Sequence, residues 1–129
     1  MRTFYLKDDI YQHQILVILD CNYETMEKHL VKLFGRPVDL PERIVSIEGC
    51  MFYLQDTETK QRNYILWFGE AKTRSWNIAG MAHEILHASL SITRIIGIKH
   101  SEDTDEALCY YFTYLFEQLL NKLCQKKKR

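Results

Sequence analysis

The stretch Ile78-Ala79-Gly80-Met81-Ala82-His83-Glu84-Ile85-Leu86-His87-Ala88-Ser89-Leu90-Ser91-Ile92-Thr93-Arg94-Ile95-Ile96-Gly97 decides how this chain is read. Ile78, Met81, Ala82, Ile85, Ser89, Ile92 and Ile96 recur at helical spacing and form one stripe. The pattern predicts a long helix, capped by Ser75 or Asn77 and closed by Gly97. His83 and His87 lie four residues apart on it, so their Cβ atoms are about 5–6 Å apart on one face. Both imidazoles can then reach one Zn²⁺ at about 2.0–2.1 Å. Glu84 is rotated about 100° from His83. It lies beside such a metal rather than on it and can take a proton from water that the metal activates. The H-E-x-x-H spacing therefore reads as two zinc ligands and a general base. The plain alternative is a pair of packed or surface histidines.

A catalytic zinc site usually has three protein ligands and one open position. Positions 90 and 93 are Leu90 and Thr93, which removes the pattern with a third histidine six residues after the motif. Downstream, Glu106 in Asp103-Thr104-Asp105-Glu106-Ala107-Leu108 is the preferred third ligand, with Asp105, Asp103 and His100 behind it. Its competing role is structural: Asp103 as N-cap with Glu106 three residues on spells a capping box. Tyr110, four residues after Glu106, is the candidate hydrogen-bond donor to an oxyanion, with Tyr111 and His100 as rivals. A tyrosine packed in the core with an exposed hydroxyl is the ordinary alternative for each.

Working outward, Ile15-Leu16-Val17-Ile18-Leu19 within residues 11–20 is a continuous apolar run, as expected of a strand covered on both faces. Asn22 is a fitting N-cap for a helix over residues 23–34, with Met26, Leu30, Leu33 and Phe34 at helical spacing and Gly35 as its stop. Residues 43–47 and 51–55 read as strands joined through Gly49, a turn or bulge position. Residues 62–68, ending at Gly69, form a further strand rich in aromatic and β-branched residues. A last helix runs over residues 105–124, burying Leu108, Tyr111, Phe112, Leu115, Leu119 and Leu123. The expected class is α+β, with a small, mostly antiparallel sheet packed on the motif helix and the C-terminal helix.

The 129 residues suit one domain, read as residues 1–125, followed by a solvated, disordered basic tail at 126–129. Apolar residues at 47% and charged residues at 26% match a soluble globular chain. No apolar run reaches the roughly 20 residues of a membrane span. The first nine residues lack a signal peptide's apolar stretch, so a cytoplasmic location is expected. A net charge of +0 argues against a nucleic-acid partner. Cys21, Cys50, Cys109 and Cys124 form no C-x-x-C pair and read as reduced, mostly buried thiols.

His83-Glu84-Ile85-Leu86-His87 followed by Glu106-Ala107 resembles the gluzincins, zinc metallopeptidases with a glutamate ligand. The small size is similar to the minimal, phage- and prophage-type members. The resemblance covers residues 62–120 in order of elements. It implies a zinc peptidase in which the strand before the motif helix, residues 62–68, is an edge strand that binds the substrate as an added strand. The family's second helical domain is missing here, so a homodimer or a larger partner would supply the remaining cleft walls. In a host cell, such a phage protein would act in the host cytoplasm. The second functional reading is a binding module: a zincin scaffold with weak or no catalysis that inhibits or regulates another protein.

Overall fold

Two strands whose side chains are buried on both sides organise the molecule. The computed structural model describes residues 1–41, 49–69 and 74–125. In chain order the elements are β1 (Arg2–Lys7), β2 (Gln14–Leu19), α1 (Tyr23–Phe34), β3 (Gly49–Gln55), β4 (Arg62–Phe68), α2 (Arg74–Ile95) and α3 (Asp105–Cys124). The described strands form one sheet of order β1-β2-β4-β3. β2 and β4 pair in parallel at its centre, while β1 and β3 add antiparallel on the flanks. Ile15–Leu19 and Tyr64–Phe68 are accordingly buried throughout, which is why both segments read as unbroken apolar runs.

Helices cover both faces. On one face α1 buries Met26 and Leu30 against Leu16, Ile18, Ile65 and Trp67. On the other, Ile85, Ala88 and Ile92 of α2 and Tyr111, Leu115 and Leu119 of α3 pack on Val17, Tyr64 and Leu66. Each large aliphatic side chain so buried contributes about 1.5–3 kcal/mol relative to exposure. The architecture is the expected α+β class.

The helix ends follow the residues read as signals. Asn22 accepts the Thr25 N–H at 2.9 Å, and Gly35 closes α1 at φ 66°. Gly97 takes φ 89°, and the Gly97 and Ile98 N–H groups donate to the Arg94 and Thr93 carbonyls. These are the two bonds of a Schellman stop. Ser75 and Asn77 fall inside α2 rather than capping it, because the helix already runs from Arg74.

The structure corrects several sequence expectations. β4 is not an edge strand. β2 pairs along one of its sides and β3 along the other, so its backbone has no open side for an added strand. Among the described strands, β3 is the edge nearest the motif helix. The N-terminal strand β1 was not expected, although Phe4 and Leu6 alternate inward against Thr3, Tyr5 and Lys7. β2 is shorter than residues 11–20, because Asp8 and Gln12 shape a turn before it. Gly49 begins β3 without a bulge, in register with Phe68. A Cβ there would lie 2.9 Å from the Trp67 carbonyl oxygen, so the close strand approach needs glycine. Cys21 and Cys50 are buried, but Cys109 and Cys124 are exposed on α3. The expected strand at 43–47 and the tail at 126–129 lie outside the described residues. Among the described residues, no helix is long and apolar enough to cross a membrane.

Candidate metal and catalytic site

α2 turns Ile85, Ala88 and Ile92 into the core. The 3.6-residue period therefore brings His83 and His87 to its exposed face, four residues apart. Their Nε2 atoms are 3.1 Å apart and their ring centroids 4.7 Å, at an interplanar angle of 71°. Two donors held about 2.05 Å from one zinc ion with that separation subtend roughly 100° at the metal, close to tetrahedral. Without a metal, the same separation is a hydrogen bond in which one ring donates from Nε2 and the other accepts. Either way, the two Nε2 atoms are brought close enough to share one partner.

Glu84 lies between the helix and the sheet edge, its side chain 16% exposed against 68% for His83. Its Oε2 accepts the Met51 backbone N–H at 2.6 Å. Its Oε1 is 3.9 Å from His83 Nε2. One carboxylate oxygen is thus anchored on β3, while the other is left beside the imidazole pair. The anchor also defines the sheet edge. Alternate residues of an antiparallel edge strand turn their backbone groups outward. Met51 is on that outward register, and Tyr53 follows two residues on.

An open cleft of about 450 Å³ continues from this point between β3 and α2. Met51, Tyr53 and Arg62 line one wall, and His87, Ser91 and Arg94 the other. Of these, only His87 was singled out from the sequence. His87, Ser91 and Arg94 follow the i, i+4, i+7 rule and were legible as one helical face. The facing residues Tyr53 and Arg62 depend on which strand lies beside α2, and no local pattern states that.

The remaining sequence candidates are not brought to the pair. Glu106 is exposed in the first turn of α3. Among the described residues, no three His, Cys, Asp or Glu side chains gather as a metal-holding group. The capping box is not formed either: Thr104, not Asp103, is the N-cap, and it makes no side-chain cap bond. Glu106 is therefore not engaged as a capping partner. Asp103 and Asp105 are exposed. His100 Nε2 lies 2.8 Å from Thr93 Oγ1, tied to the last turns of α2. Tyr110 is 72% exposed and does not line the cleft. Tyr111 is buried, and its hydroxyl makes no hydrogen bond among the described residues. Burial, and then the Asp8 carboxylate beside it, push the ionisation of that hydroxyl far above the usual phenol range.

Compared with known proteins, the chain matches no family model, no curated protein and no solved structure.

Proposed function

We propose that the protein is a zinc-dependent peptidase of the gluzincin type, hydrolysing peptide bonds at the cleft between α2 and β3. The observation that carries this reading is the His83–His87 nitrogen pair at 3.1 Å with the free oxygen of Glu84 beside it. His83 and His87 would hold zinc, which supplies Lewis acidity that makes water a nucleophile near neutral pH. Glu84 does the proton work. Oε2 stays on the Met51 N–H and fixes the carboxylate, while Oε1 takes the proton of the attacking water and returns it to the leaving amine. The outward backbone of β3 at Tyr53 suits an extended peptide laid along the edge.

The third protein ligand is proposed from sequence order as Glu106, which is free of a capping role. The competing reading is a scaffold that binds another protein without turnover.

Two variants test the proposal. The unsubstituted protein is expected to carry about one equivalent of zinc, and His83→Ala to lose it. Equal zinc in both, by elemental analysis, would sink the site. Glu84→Gln is expected to keep the metal and to lose about 10²–10⁴-fold in peptide hydrolysis. Full metal with no hydrolysis of any peptide by the unsubstituted protein would leave the binding module as the better reading.

A further inference from the structure

Beyond the imidazole pair, the cleft carries two positive charges with no carboxylate among its described lining residues. Arg94 stands on α2 two turns past His87, and Arg62 enters from the start of β4. The Arg62 guanidinium lies over the Tyr53 ring, 4.1 Å from its centroid. That stacking restricts the side chain, leaving less freedom to lose on binding. Its Nε is buried and has no hydrogen-bond partner among the described residues. The planar guanidinium in the cleft wall suits a carboxylate, which it can bind through two parallel N–H groups. Arg94 is exposed, with no ion pair among the described residues. Ser91, on the wall between His87 and Arg94, offers a further hydroxyl.

We infer that Arg62 and Arg94 form a carboxylate-recognising subsite, so that the preferred substrates are peptides with a carboxylate a few residues from the bond cleaved. The inference rests on the peptidase reading for the word substrate, though not for the binding itself. The distance follows from the helix: seven residues from His87 to Arg94 rise about 10 Å, which an extended peptide spans in about three residues. A C-terminal carboxylate and an Asp or Glu side chain present the same chemistry, and both fit that spacing.

The test reads binding on the full chain carrying Glu84→Gln, which stops turnover if the peptidase reading holds and leaves both arginines in place if it fails. Three alanine pentapeptides carrying an uncharged boron-dipyrromethene dye on the N-terminus serve as probes: one with a free C-terminus, one amidated, and one amidated with an internal Glu. Anisotropy titrations are expected to show the amidated peptide binding at least about tenfold more weakly than one or both carboxylate peptides. The carboxylate peptide that binds names the source. Arg94→Gln, an exposed change that spares the fold, should erase most of that difference, and Arg62→Gln should do the same. Equal binding of all three peptides, or discrimination that survives Arg94→Gln, overturns the inference. Hydrolysis by the unsubstituted protein is scored separately. Carboxylate discrimination without hydrolysis would refute the peptidase and keep the subsite, and hydrolysis without discrimination would do the reverse.

Discussion

Among the described residues, two groupings of acidic side chains with histidines are built in opposite ways. Around the β1–β2 turn, Asp8 is buried, and its two oxygens accept the Tyr11 and His13 N–H groups at 2.9 and 3.0 Å. Tyr11 packs edge-on against Tyr111 and His13 against Tyr64, with ring centroids 4.8 and 5.7 Å apart. Both oxygens of that carboxylate are committed to the chain's own backbone. At α2, by contrast, the histidines are exposed, and Glu84 commits only one oxygen to the backbone. The first cluster shapes a turn. The second leaves lone pairs over. Residue type alone would not separate Asp8–His13 from Glu84–His83; what separates them is whether both carboxylate oxygens already accept backbone N–H groups or only one does.

The largest effect that would break this contrast comes from Asp8. Asp8→Ala orphans two backbone N–H groups beside the core, each worth about 1–3 kcal/mol. Urea unfolding should therefore show a loss of roughly 2–4 kcal/mol, with zinc content per folded protein unchanged. Were zinc lost from protein that is still folded, the two clusters would be coupled and the division into a structural and a chemical cluster would be wrong.

A smaller effect sharpens the chemical side. If Glu106 completes the metal set, Glu106→Gln should weaken zinc binding at least about tenfold, which is about 1.4 kcal/mol, while Asp103→Asn leaves it unchanged. Competition with a chromogenic chelator reads both. Equal affinities in the two variants would assign the third position to another donor. The structure has already weakened the capping alternative, since Thr104 holds the N-cap position and its Oγ1 donates to the Lys99 carbonyl.

What was legible in the sequence was local. Asn22, Gly35 and Gly97 marked helix ends because capping is settled within four or five residues. The apolar run at 15–19 announced burial on both faces. The paired histidines were legible because helical spacing alone sets their separation. Pairing between distant segments was not legible. The aromatic and β-branched content of residues 62–68 marks a strand, but it says nothing about which strands flank it. The resemblance implies an edge at residues 62–68, whereas β1 and β2 extend the sheet beyond it and β3 is the edge among the described strands. The same blindness hid the Met51 N–H that anchors Glu84, and the arginines that share its cleft, because each depends on β3 lying along α2. Glu106 shows a further limit: a first-turn carboxylate fits a cap, a ligand or a helix dipole equally well until the path of the loop before it is known.

The smallest predicted effect tests whether the buried cluster tolerates any free polar group. The Tyr111 hydroxyl is enclosed in the core without a hydrogen bond among the described residues. Burial first, and the Asp8 carboxylate next, raise its ionisation above the ordinary value of 10.0. The unfolded chain then releases this proton at a lower pH than the folded one. Above about pH 10 the unfolded state binds fewer protons, so stability falls as pH rises. Tyr111→Phe removes both the unpartnered hydroxyl and that titration. At pH 7 the variant should match the unsubstituted protein or slightly exceed it in stability, since no good hydrogen bond is lost. Between pH 9 and 11, about where an ordinary phenol titrates, its unfolding free energy should decline less steeply. A clear loss of stability at pH 7 would mean that the hydroxyl is paired in solution, most directly with Asp8. The Asp8 carboxylate would then serve the core as well as the turn, which moves it further still from the half-open carboxylate of Glu84.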